Sequence, residues 1–202
     1  MNNLSVLFTI CALGFLLSGC GSVQIPKVTK YSIDTPAVQE NIKNNVNIAV
    51  ERVRGRSLYE KKNIVVSPKV HTLDYYVSAQ WAETPCNMLT DDIIAYLAKK
   101  FPYVTSAVRN GNGKIDFIIS VYIDKLNQEK RDGNWYANLA LNYEIVSNKS
   151  RKVLCNKWFA KNIQLEDSNV ESYIAAQNNS IEQFLVQLAT EIENMSGADF
   201  RK

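Results

Sequence analysis

Ile115, Phe117, Ile119, Val121 and Ile123 place an apolar residue at every second position. Successive side chains of an extended chain point to opposite faces, so this run is a strand with one buried face. Two turn sequences follow, Arg131-Asp132-Gly133-Asn134 and Ser147-Asn148-Lys149-Ser150, leading into β-rich runs at 135–146 and 152–163. Three long strands joined by short polar turns make an antiparallel meander.

A sheet with one apolar face has to be covered, and two amphipathic helices are available to cover it. The first starts at Thr84-Pro85, a competent N-cap followed by proline at the first helical position. It carries Leu89, Ile93, Leu97 and Phe101 on one face and stops at Pro102. The second carries Val170, Ile174, Ile181, Phe184, Leu188 and Ile192. Shorter strands are expected at 28–33, 46–53 and 103–108, with a hairpin of 63–67 and 73–78 broken by Pro68. Residues 35–45 read as irregular or as one helical turn, and 110–113 as a turn. The expected fold is α/β: a two-layer sandwich of one mixed, mostly antiparallel sheet with both helices packed on one face.

The N-terminus sets the compartment. An apolar run over residues 4–17 ends in Leu17-Ser18-Gly19-Cys20. It is shorter than the ~20 residues that span a bilayer and closes in small residues, as a secretory signal does. The Cys directly after them resembles a bacterial lipobox, in which the thiol takes a diacylglyceryl group and becomes the new N-terminus. Residues 1–19 depart from the usual pattern in having no Lys or Arg. Two or more acyl chains anchor a protein stably where one binds only marginally. Gly21, rather than Asp, resembles an outer-membrane address. The expected organisation is a signal peptide at 1–19, a lipidated tether at 20–28, one domain at 29–196 and a frayed tail at 197–202. The expected location is the periplasmic face of the outer membrane, held by lipid on Cys20.

The net charge of +3 is scattered, which argues against nucleic acid as a partner. Of the cysteines left in the domain, Cys86 and Cys155, a disulfide is permitted in an oxidising compartment. Two small buried hydrophobes is the favoured reading, and spacing does not decide between them. Chemistry is poorly represented. The single His, His71, lies between two strands and reads as a turn or surface residue. HExxH, CxxC, P-loop and GxSxG motifs are all absent. Asp91 and Asp92 are adjacent, so a helix points them in different directions. No catalytic, cofactor or metal site is expected, and the chain does not read as an enzyme.

The meander's second face is more informative. Alternation places Ile118 and Tyr122, then Tyr136, then Leu154 and Trp158 on it. Left uncovered, they would form an apolar, aromatic patch of the kind that marks a partner or oligomer face. A bulge or a covering loop would bury them instead, because a one-residue slip exchanges the faces.

At Leu73-Asp74-Tyr75-Tyr76 and Trp81-Ala82-Glu83-Thr84-Pro85 the chain resembles the ABC-type transport auxiliary lipoproteins, including the paraquat-inducible protein C group. The lipobox, Tyr31-Ser32-Ile33, Val53-Arg54, the strand from Val153-Leu154 to Phe159 and the closing helix agree with it. The resemblance implies a mixed sheet with two helices and no enzymatic site. It implies an MCE-domain protein as partner, backed by an ABC permease and ATPase that move lipids or other hydrophobic compounds between the two membranes. Self-association as a homo-oligomer is compatible with it. A lipoprotein regulator docking on a cell-wall synthase is the alternative. Trp81 and Pro85 read as structural, the indole locking a helix start onto an edge strand, and Glu83 as a partner for free N–H groups of the first turn.

Overall fold

The computed structural model describes residues 27–34, 45–107 and 114–199. Cys20, the 110–113 turn, residues 35–44 and residues 200–202 lie outside the described residues. The elements are β1 (Thr29–Tyr31), β2 (Asn47–Val50), β3 (Arg54–Gly55), β4 (Asn63–Ser67), β5 (Asp74–Trp81), α1 (Pro85–Ala98), β6 (Tyr103–Ser106), β7 (Phe117–Arg131), β8 (Asn134–Ser147), β9 (Val153–Leu165) and α2 (Val170–Asp199).

The alternating run is the spine of a curled mixed sheet. β7 has 15 residues, about 50 Å at 3.3 Å each. Along one edge it pairs with β8, from Phe117↔Ser147 to Arg131↔Asn134, and β8 pairs in turn with β9. The other edge is long enough for three short strands end to end: β2 at Ile48↔Phe117, β3 at Arg54↔Tyr122 and β4 at Val65↔Asn127, all parallel to it. β6 then adds to β2, β5 to β4 and β1 to β5. The long antiparallel ladders carry most of the paired residues. The turn between β7 and β8 reduces to Asp132-Gly133, with φ of 51° and 83°. Both are positive, as the tightest hairpin turn requires.

Phe117, Ile119, Val121 and Ile123 are all buried on the face that receives the helices. One hydrophobic core joins them to Leu89, Ile93 and Leu97 of α1 and to Ile181, Phe184 and Leu188 of α2. The Thr84 side chain accepts the Asn87 N–H at 3.3 Å, and Pro85 occupies the first turn. The helix ends at Ala98, sooner than the apolar spacing suggests. Phe101 lies beyond it, buried, with its N–H on the Leu97 carbonyl at 2.9 Å. The residue before a proline is pushed out of the helical region, which leaves Phe101 as a plug after the helix rather than part of it.

Trp81 is 1% exposed. It is the last residue of β5 rather than part of the loop after it, and its ring lies 6.3 Å from that of Tyr173 on α2. The indole therefore packs the sheet against the closing helix, while Pro85, also buried, starts α1 four residues later. Glu83 accepts the Thr84 N–H at 2.9 Å and pairs with Lys62 at 3.2 Å, so it serves the N-cap residue and a neighbouring strand end.

Candidate docking face

Strand register builds the site on the face away from the helices. Arg54, Tyr122, Asn142 and Trp158 stand directly beside one another on β3, β7, β8 and β9. At about 4.8 Å per strand they form a row roughly 15 Å long: a guanidinium, a phenol, an amide and an indole. Trp158 is 62% exposed and Tyr122 40%. The next row is Ser120, Glu144 and Asn156.

Hydrogen bonds tie the two rows together. The Asn142 side-chain amide donates to Asn156 Oδ1 at 3.0 Å and to the Lys157 carbonyl at 3.2 Å. Asn156 Nδ2 donates to Glu144 Oε1 at 3.4 Å, and the Ser120 hydroxyl to Glu51 Oε2 at 2.9 Å. Arg54, Ser120, Tyr122, Asn142, Glu144 and Asn156 line a shallow depression of about 130 Å³. Arg52 and Arg56 are committed elsewhere, to Glu60 at 2.5 Å and Asp124 at 2.6 Å. Their salt bridges hold the guanidinium pKa values up and that of Glu60 down. Arg54 lies between them, exposed.

The five residues expected on this face do not form one contiguous patch. Tyr122 and Trp158 share a row. Tyr136 stands six residues from Asn142 along β8, about 20 Å away, in a row with Glu129 and Gln164. It is half-buried, with the Arg131 guanidinium 4.6 Å from its ring centroid. Ile118 is half-buried. Leu154 is 37% exposed at an irregularity, between Ile145↔Cys155 and Val146↔Val153, that leaves it opposite no β8 residue.

The space between them is polar. Asn127, Asn138 and Asn162 are cross-strand neighbours on β7, β8 and β9. Asn127 donates to the Ser67 hydroxyl at 3.1 Å, Asn162 donates to Asn138, and Arg131 donates to Asn162 at 3.2 Å. The asparagines, Ser120 and Glu144 were not singled out in the sequence, and Arg54 was noted only at a strand end. Their signal was there: polar residues at alternate positions of strands already recognised.

Cys86 and Cys155 are free and buried. Burial, with the Glu60 carboxylate beside it, pushes the Cys86 thiol up to about 12, and burial also raises Cys155. Neither is a poised nucleophile. Asp91 is exposed while Asp92 is buried, so the pair faces different surroundings. His71 sits in the β4–β5 turn at φ 61°. Among the described residues no group of His, Cys, Asp and Glu is placed to hold a metal, and no helix is long and apolar enough to cross a membrane.

Residues 31–189 match the family model described as the ABC-type transport auxiliary lipoprotein component. No curated protein matches the chain. The fold is similar to that of protein XCC0632 from Xanthomonas campestris, of the family model DUF330, with a TM-score of 0.69 at 17% identity over 88% of this chain and 96% of that one. A crystal structure of an uncharacterised protein follows, with a TM-score of 0.62 at 14% identity over 77% and 96%. A neuraminyllactose-binding hemagglutinin homolog from Helicobacter pylori shares the fold with a TM-score of 0.50 at 10% identity over 86% and 100%.

Proposed function

Since this chain belongs to the ABC-type transport auxiliary lipoproteins, we propose that it acts without chemistry, as a docking module. In this reading lipid on Cys20 holds it to the periplasmic face of the outer membrane. There it engages an MCE-type partner of a system that moves lipids or other hydrophobic compounds between the membranes. The observation that carries the reading is the Arg54–Tyr122–Asn142–Trp158 row. A tryptophan left 62% exposed on the sheet, in one row with a tyrosine and an arginine, has the composition of an interface hot spot. The asparagines around it supply the directional hydrogen bonds that fix a partner's register. Self-association through the same face would give multivalent docking.

Two experiments test it. Replacing Cys20 with Ser should abolish labelling by an alkyne fatty acid and release the protein from the membrane fraction; persistent labelling would refute the anchor. Trp158→Asp and Tyr122→Ala should lose the MCE partner in a pull-down. If both stay folded, keep full partner binding and keep the native molar mass by light scattering, the row is not the contact.

A further inference from the structure

The turn joining β4 to β5 and the first half of β5 carry a run of exposed apolar side chains. Val70 is 67% exposed, Leu73 64%, Val77 79% and Tyr75 39%. Four such residues within eight positions differ from the exposed residues of β9, where Asn156 and Lys157 separate Leu154 from Trp158. Hairpin tips are ordinarily polar, because they face water. This one has an apolar side that no described residue covers.

Topology says what lies opposite. β4 runs parallel to β7, with Ser67 beside Glu129, so the hairpin tip shares one end of the sheet with the Asp132-Gly133 turn. Lys69, Lys130 and Arg131 are exposed there, and Lys130 lies over the half-buried Trp135 at 5.8 Å. Asp74 and Asp132 are at the same end, so apolar contact, not net charge, is the distinguishing feature. The chain enters from this end too. β1 is parallel to β5, with Thr29 beside Ala79, so the backbone before Thr29 arrives from the side of the hairpin tip.

Chain lengths then fix the occupant. Cys20 precedes Thr29 by nine residues, a reach of at most about 32 Å. β5 begins at Asp74, so the strand reaches back five residues from Ala79, about 17 Å, before the turn that carries Val70 and Leu73. A nine-residue tether is short enough to keep the hairpin tip close to the bilayer that would hold Cys20.

We propose that the β4–β5 hairpin tip rests in the headgroup region of the bilayer that holds Cys20. Val70 and Leu73 lie at the apolar boundary, with Lys69 and Lys130 at the lipid phosphates. The proposal rests on the lipid-anchor reading. Amphipathic surfaces bind bilayers in this way, with apolar side chains at the acyl boundary and basic ones among the headgroups. A second contact would fix the pose of the domain on the bilayer. It would hold the Arg54–Trp158 row about 30 Å from the lipid, nine residues up β7 from Arg131, where a partner can reach it.

The test uses the full acylated chain in vesicles of three parts phosphatidylethanolamine to one of phosphatidylglycerol. Val70→Cys, Leu73→Cys and Trp158→Cys are each labelled with an environment-sensitive fluorophore, and flotation confirms attachment. Nitroxide-bearing lipids should quench the labels at 70 and 73 several-fold more than the label at 158. Equal, weak quenching on floated protein would overturn the hairpin contact while leaving the anchor intact. Blue-shifted but unquenched labels at 70 and 73 would mean that protein covers the hairpin, and would overturn it as well. Protein that fails to float would overturn the anchor, and the proposal with it.

Discussion

The Tyr59 hydroxyl accepts the backbone N–H of Leu126 at 2.9 Å. It does so where the sheet changes partner. β3 leaves β7 at Gly55↔Ile123, and β4 joins it at Val65↔Asn127. Between them β7 has an irregularity at Asp124 and no strand on that edge. A 3-10 turn, Ser57–Glu60, crosses the gap, and its tyrosine takes the N–H that a strand would otherwise have taken. Arg56 secures the same place by pairing with Asp124. A side chain thus completes a backbone ladder, satisfying a buried donor that is costly to leave unpaired.

Tyr59→Phe keeps the ring and removes the acceptor. It should lower the stability of the domain by about 1–3 kcal/mol, the cost of an unsatisfied buried N–H. Hydrogen exchange at the Leu126 amide should also speed up. An unchanged urea midpoint with unchanged exchange would show that the bond contributes nothing.

Gly55 permits the close approach of α1 to β7 beside this gap. A Cβ there would lie 3.2 Å from Ile123 Cβ and 3.3 Å from Cys86 Sγ. Gly55→Val should therefore destabilise by about 1–3 kcal/mol, the usual cost of overpacking. Gly55→Val combined with Cys86→Ala should recover part of that loss, because one of the two neighbours has then been trimmed. Strict additivity of the two substitutions would argue that the crowding is elsewhere.

Trp81→Ala should cost about 3–5 kcal/mol, as expected for a buried large ring. It loosens α2 through Tyr173, so near-ultraviolet dichroism from the tyrosines should fall along with the thermal midpoint. A midpoint that does not move would reopen a ligand or partner role for the indole.

Alkaline pH should weaken the fold. Burial raises the Cys86 thiol from near 9 to about 12, and the Tyr59 phenol from near 10 to about 12. The folded chain keeps protons that the unfolded chain releases, so stability is full below pH 9 and falls as pH rises towards 12. Urea midpoints measured from pH 8 to 11.5 should decline from about pH 9. Cys86→Ala should reduce the early part of the decline, since the unfolded thiol titrates before the phenols. A flat profile to pH 11 would contradict the burial of both groups.

The meander, both helices and the Thr84-Pro85 start were legible because each rests on a local period: two for the strands, close to four for the helices. The lipobox reading rests on Leu17-Ser18-Gly19-Cys20 alone, and Cys20 lies outside the described residues. The two-residue Asp132-Gly133 turn was likewise local. Phe101 shows the limit: its spacing continues the helix, and only the backbone restriction before proline removes it.

What the sequence by itself determined was which residues face the core and that helices cover one side of a sheet. These follow from hydrophobic period, which needs no neighbour to express it. Tertiary structure decided the rest. Nothing local says that β2, β3 and β4 line one edge of β7, that β1 lies parallel to β5, or that Tyr59 fills the gap. It also decided that Arg54, Tyr122, Asn142 and Trp158 meet in one row while Tyr136 stands about 20 Å from it. Such juxtapositions depend on strand register between segments far apart in the chain. Register is fixed by the mutual fit of two pleated surfaces and their bulges, a property that neither strand carries alone.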